Sequence, residues 1–207
     1  MIGKLIALFT GSPLVAGDVV VTNDDEHDQV CQRGGNLISP HMQLLGRNPQ
    51  LSAKAKTELS RGIADLDAVT AYNPKNWASF WMKGKGYQAL GDQKAANAEF
   101  KVSFAIQKEN PDVAREYAAS CLQLGDGEEA ISATQHAITL TPRDAGLHAN
   151  LALALLISGK HEEARTAIVE SLNMAPADRI SLAVKKVIDE AASGKRRQPK
   201  TMADLGS

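Results

Sequence analysis

Apolar positions along the chain fall into successive stripes at helical spacing, with no sustained alternation of the kind a half-buried strand requires. Over residues 51–76, Leu59, Ile63, Leu66 and Val69 lie on one helical face, with Ser52 placed to cap the start and Pro74 to stop the helix. From residue 77 onward the pattern repeats at a fixed interval. Gly91, Gly125 and Gly159 are 34 residues apart, and so are Ala96, Ala130 and Ala164. The intervals 77–110, 111–144 and 145–178 each read as helix, turn, helix. In the first helices, Gly84, Ala118 or Ala152 permits close approach to a neighbour, and Tyr87, Cys121 or Leu155, three residues on, fills the space beside it. In the second helices, Phe100, Thr134 and Ile168 are followed by Ser103 with Phe104, Ala137 with Ile138, and Ser171 with Leu172, one stripe per helix. The periodic glycines supply a positive φ that closes each first helix, and Pro142 and Pro176 stop the second helices that precede them. Residues 178–192 mix Ile180, Leu182, Val184, Val187 and Ile188 with Lys185, Lys186, Asp189 and Glu190, which predicts a terminal helix capping the array with a polar face.

The run Trp81, Gly84, Tyr87, Leu90, Gly91, Asp92, Ala96 and Phe100 resembles the signature of the tetratricopeptide repeat family, and Leu151, Ala152, Leu155, Gly159, Ala164 and Pro176 match it again. The resemblance implies an all-α, tetratricopeptide-type α-solenoid of about three helix pairs, and it says little about activity. The array is expected over 51–193, with a half repeat at 51–76, repeats 77–110, 111–144 and 145–178, and the capping helix. Three departures bear on that expectation. Lys83 stands where the family has an apolar residue, Thr134 weakens the second helix of the middle unit, and Lys108 replaces a proline, so the helix before it is expected to run long. The first helix of the half repeat is expected around 43–56, where Gly46, Asn48 and Pro49 interrupt it.

The flanks carry less pattern. Residues 1–50 read as irregular, and Asp24, Asp25, Glu26, His27 and Asp28 as a solvated acidic loop. Residues 1–17 contain a short apolar run, Leu5–Phe9, with Val15, Ala16 and Gly17 at a cleavage-like site, so an exported chain is an alternative to the cytoplasmic location expected here. The tail 194–207, with Lys195, Arg196, Arg197 and Lys200, reads as a flexible basic end.

Composition narrows the function. Across 207 residues, 23 Lys and Arg balance 24 Asp and Glu, which removes any general attraction to nucleic acid or anionic membrane, and no apolar run reaches the roughly 20 residues of a spanning helix. Cys31 and Cys121 fit no zinc, redox or disulfide spacing. No phosphate loop, nucleophile elbow or paired-histidine zinc helix is present, and the five histidines are scattered, so neither cofactor nor metal nor catalysis is expected. The remaining enzymatic alternative is a metal-dependent activity at Asp24–Asp28.

The expected role is an adaptor or scaffold that holds a protein or peptide, whose identity the sequence leaves open. By resemblance, the groove lined by the first helices maps to Trp81, Lys85 and Gln88, then Arg115, Ala119 and Gln123, then Ala149, Asn150, Leu153 and Leu156. It passes from aromatic and cationic to apolar, suiting a helix or extended peptide with one polar and one apolar end. The family's carboxylate clamp is disfavoured, because Lys85, Glu116, Gly146 and Asn150 occupy its places. The helix from 145 is apolar on nearly every side and needs cover, whether from the N-terminal segment, a partner or a second copy forming a homodimer.

Overall fold

A computed structural model describes residues 19–42 and 50–206. Among them every regular element is helical, and the fold is all-α, of the tetratricopeptide α-solenoid type. The chain divides into two compact units, Met1–Gly91 and Asp92–Ser207, and the division falls between the two helices of repeat 77–110.

Unit 1 contains α1 (Asp24–Ile38), α2 (Ala53–Tyr72) and α3 (Trp77–Leu90), with a short 3₁₀ turn at Ser39–His41. The helix α1 corrects the expectation of an irregular 1–50 and of an acidic loop at Asp24–Asp28. Asn23 caps its start by accepting from the Glu26 amide at 2.9 Å, and Glu26 accepts in return from the Thr22 amide at 2.9 Å. Asp24, Asp25 and Glu26 form the first turn, where carboxylates complement the helix dipole. Hydrogen bonds from Thr22 hold the Glu26 carboxyl below the usual range. The stretch 43–49, including the interrupting residues, and the candidate leader 1–17 lie outside the described residues.

The α1–α2 crossing is close. A Cβ on Gly62 would sit 2.9 Å from the Gly34 carbonyl and 2.8 Å from Ile38, so the two backbones meet at a pair of glycines. Leu59, Ile63, Leu66 and Val69 of α2 are all buried in this core, as their spacing predicts, each worth roughly 1.5–3 kcal/mol. Asp65, only 4% exposed, takes both nitrogens of an Arg33 fork at 2.7 Å, and that hydrogen bonding raises the arginine pKa further. Lys83 is equally buried, its Nζ 2.8 Å from Asp67 and 4.9 Å over the Phe80 ring. The charge is accommodated where the family places an apolar side chain.

Unit 2 runs α4 (Gln93–Ile106), α5 (Pro111–Leu124), α6 (Gly127–Leu140), α7 (Ala145–Ile157), α8 (His161–Met174) and α9 (Arg179–Ala192), then a 3₁₀ turn, Met202–Gly206. Each helix packs on the next, and the first helices also touch, α5 against α7 and α7 against α9. Asn110, Asp144 and Asp178 cap α5, α7 and α9 with their side chains. Gly125 and Gly159 take φ of 74° and 77° where two first helices close, as the period predicts.

Two expectations change here. The helix α4 does not run long: it has 14 residues, like α6 and α8, and starts in phase with them. The chain leaves it at Gln107, and Asn110 then caps α5 by accepting from the Asp112 amide at 2.9 Å, so capping of the next helix supplies the stop that proline would have given. Thr134 does not shorten α6, because its buried hydroxyl donates to the Ala130 carbonyl at 2.6 Å and leaves no unsatisfied group.

Candidate functional site

In unit 1 the residues singled out from the sequence lie on α3. Trp81 is half-buried with Lys85 Nζ 5.7 Å over its ring, Lys85 is 7% exposed, and Gln88 is half-buried. The cationic end of the expected groove is therefore folded into the protein, with its ammonium against an aromatic face.

In unit 2 the expected residues lie on α5 and α7. Gln123 is exposed, while Arg115 and Asn150 are half-buried. Arg115 donates to Asp144, whose other carboxylate oxygen caps α7 by accepting from the Leu147 amide at 3.2 Å, so this cation is neutralised in place. Ala119, Ala149, Leu153 and Leu156 are buried, Leu156 completely. Of the ten residues, Gln123 alone is exposed, and Ala119, Ala149, Leu153 and Leu156 serve packing.

The cover that α7 needs is found within the chain. Leu147, Ala149 and Ala152 through Leu156 are all buried by packing inside unit 2. Part of the cover comes from the C-terminal segment, which corrects the expectation of a flexible tail. Gly194, at φ 73°, reverses the chain after α9. Gln198 then donates its side-chain amide to the Leu156 carbonyl in the last turn of α7. Pro199 is fully buried. The Lys200 carbonyl and the Thr201 methyl lie against Gly125, where an added Cβ would come within 3.1 and 3.3 Å of them. The 3₁₀ turn that follows packs on α5.

The segment holds its own shape. Asp204 accepts from the amides of Lys200 and Thr201, each at 2.9 Å, and these bonds hold its carboxyl below the usual range. Arg196 closes the loop, with Nε 3.5 Å from Glu190 and Nη1 donating to the carbonyls of Asp204 and Leu205 at 3.3 and 3.0 Å. Nothing in the sequence marked these residues as a structural unit, since one proline, one side-chain amide and backbone groups carry the docking.

The other chemical candidates resolve into structure. Cys121 is buried and receives the Asn97 amide at 3.4 Å, and burial pushes its thiol pKa up. Tyr117 donates to Glu129; the hydrogen bond, with Lys101 at 3.4 Å, holds that carboxyl low, while burial drives the phenol upward. Among the described residues, no group of His, Cys, Asp and Glu is placed to hold a metal, including the acidic turn of α1, and no helix is long and apolar enough to cross a membrane.

The tetratricopeptide repeat family model matches residues 145–178, the third repeat. No curated protein matches the chain in sequence. Among solved structures, MamA 41-end from Desulfovibrio magneticus RS-1 is similar at a TM-score of 0.68 and 12% identity, covering 83% of this chain and 88% of that one. YrrB, described as a tetratricopeptide repeat protein with an unusual peptide-binding site, is similar at 0.60 and 19% identity, covering 68% and 72%. The first tetratricopeptide domain of Spaghetti (RPAP3), solved with an HSP90 peptide, is similar at 0.53 and 18% identity, covering 57% of this chain and 94% of that domain. At these identities the likeness is one of fold. The in-phase helix pairs, closed by left-handed glycines, and the direct match at 145–178 give this chain a tetratricopeptide-type fold with one repeat matched to the family.

Proposed function

We propose that the chain is a non-catalytic adaptor that holds an extended polypeptide segment across the first helices of unit 2. The observation that carries this reading is that a non-helical stretch of polypeptide already lies there: residues 198–201 bridge the C-terminal ends of α7 and α5, bonded at Leu156 and seated on Gly125. Helix C-termini present carbonyls without partners in their own helix, so an incoming side-chain amide finds acceptors there. Peptide capture by the similar YrrB and RPAP3 domains, as their descriptions state it, agrees with this use of the fold. An extended ligand fits better than an amphipathic helix, because Ala149, Leu153 and Leu156 are already buried and leave no open apolar trough. Orientation falls to Gln123, Arg115 and Asn150, which retain exposure.

Peptides displayed on phage test the reading. They are panned on the full chain carrying Pro199→Asp, which releases the tail by forcing a carboxylate into a buried apolar position. Enrichment of binders that lose about ten-fold or more in affinity on adding Gln123→Glu and Asn150→Asp supports it. Absence of binders, or binders indifferent to both changes, refutes it.

A further inference from the structure

We infer that the C-terminal segment is an intramolecular ligand of unit 2, a resident occupant that closes the α5–α7 face until a partner segment of the same chemistry displaces it. That chemistry is a side-chain amide followed by proline in a non-helical backbone. The inference rests on the adaptor reading for its use, but the docking itself is independent of it.

Three features separate a displaceable occupant from an ordinary part of the core. The first is how little the segment commits to burial. Pro199 alone is fully buried, Met202 and Leu205 are half-buried, and Arg197, Lys200, Ala203 and Asp204 are exposed. Each repeat helix, by contrast, buries a full stripe of side chains. The second is what the segment touches. Its anchors are the Leu156 carbonyl and the Cβ-less surface of Gly125, which are backbone features that any chain with a matching amide and a flat proline can use. The third is its internal order. The Asp204 turn and the Arg196 clasp shape the segment through bonds to Glu190 and to its own backbone, so it arrives at the face already folded.

The tether makes this weak contact effective. A segment joined to α9 through Ser193 and Gly194 sees its site at an effective concentration in the millimolar range, so even modest intrinsic affinity keeps the face closed. A free competitor must overcome that advantage, and removing the contact gives the advantage back to it.

The probe is a fluorescein-labelled synthetic peptide of residues 195–207, titrated by polarisation into the full wild-type chain and into full-length Pro199→Asp. Pro199 lies outside every α-helix, so the repeats are spared, and far-UV circular dichroism checks this. If the substitution nevertheless lowers helicity, Gln198→Ala, which removes the bond to Leu156 and a bond within the tail to the Pro199 carbonyl, is the variant read instead. Pro199→Asp should bind the probe at least about ten-fold more tightly than wild type. Equal affinity for both chains, or no binding to the released chain, overturns the inference. A dimer dissolved by Pro199→Asp in sedimentation also overturns it, because the tail would then belong to a second copy. The two proposals fail separately: a probe that binds only the released chain, while panning yields no binder, keeps the self-ligand and removes the adaptor.

Discussion

Replacing Gly62 by alanine sets two physical effects of known size against each other. In an isolated helix the change stabilises, because glycine in a helix interior costs about 0.5–1 kcal/mol relative to alanine. In this protein the new methyl would lie 2.9 Å from the Gly34 carbonyl oxygen, 2.8 Å from Ile38 Cγ1 and 3.1 Å from Leu37 Cβ. A side chain can rotate away, but the Gly34 carbonyl is held in α1, so α1 and α2 must separate. Overpacking of this kind costs about 1–3 kcal/mol, and the crossing also carries the Arg33–Asp65 fork, whose 2.7 Å geometry separation would disturb. The net expectation is a destabilisation of about 1–2 kcal/mol, opposite in sign to propensity. Gly35 provides the control: a methyl there meets nothing within 4 Å, so Gly35→Ala should stabilise by up to about 1 kcal/mol. Both tryptophans, Trp77 and Trp81, lie on α3 in unit 1, so urea melts followed by fluorescence report on the unit that carries both changes. If Gly62→Ala is as stable as Gly35→Ala, the close crossing of α1 and α2 is wrong.

Further expectations follow from individual contacts. Arg33→Met leaves Asp65 buried without its cation and should cost about 3 kcal/mol in the same fluorescence melt, whereas an unchanged midpoint would mean the fork contributes nothing net. Dithionitrobenzoate should label half-buried Cys31 in the native protein and Cys121 only on unfolding, and equal rates would contradict the burial of the second thiol. Because the Asp204 carboxyl is held low by amides it accepts from, its contribution to tail docking is complete above the ordinary carboxylate pKa of about 3.9 and is lost as pH falls through its depressed folded value. Amide resonances of Lys200 and Thr201 should stay in docked positions down to pH 4 and move below it, and movement already near pH 6 would show that another group controls the tail. Leu156→Ala should cost about 2–5 kcal/mol of stability, and a variant that loses peptide binding with no loss of stability would return that side chain to the binding surface.

What the sequence made legible is what recurs. The 34-residue period records the packing of one helix pair on the next, so the ends of α6 and α8 and the closing glycines of α3, α5 and α7 can be placed from it, while the end of α4, where the period's proline is missing, cannot. The helix α1 was hidden for a physical reason. The residue that makes α1 pack closely is Gly34, and beside Gly35 it reads as a break; the acidic turn that starts it reads as a loop until Asn23 and Thr22 are seen to cap it. Lys83 was visible only as an irregularity, since the carboxylate that accepts its charge, Asp67, comes from another helix.

The groove residues show how one pattern serves two ends. Ala119, Ala149, Leu153 and Leu156 map by resemblance to a lining for partners, yet packing against neighbouring helices already buries them. In α7 this goes furthest: with α5, α6, α8 and α9 around it, Leu147, Leu153, Leu155 and Leu156 are committed to stability before any ligand arrives. Recognition is then displaced to groups that packing cannot consume, the backbone at the helix C-termini and the polar positions at the rim. The tail uses the former, through Leu156 and Gly125. The Leu156 carbonyl also accepts the Gly159 amide at 2.9 Å and stays satisfied when the tail leaves, so a displacing partner is selected by its fit to the same glycine and by a placed amide that regains the second bond, more than by an apolar side chain.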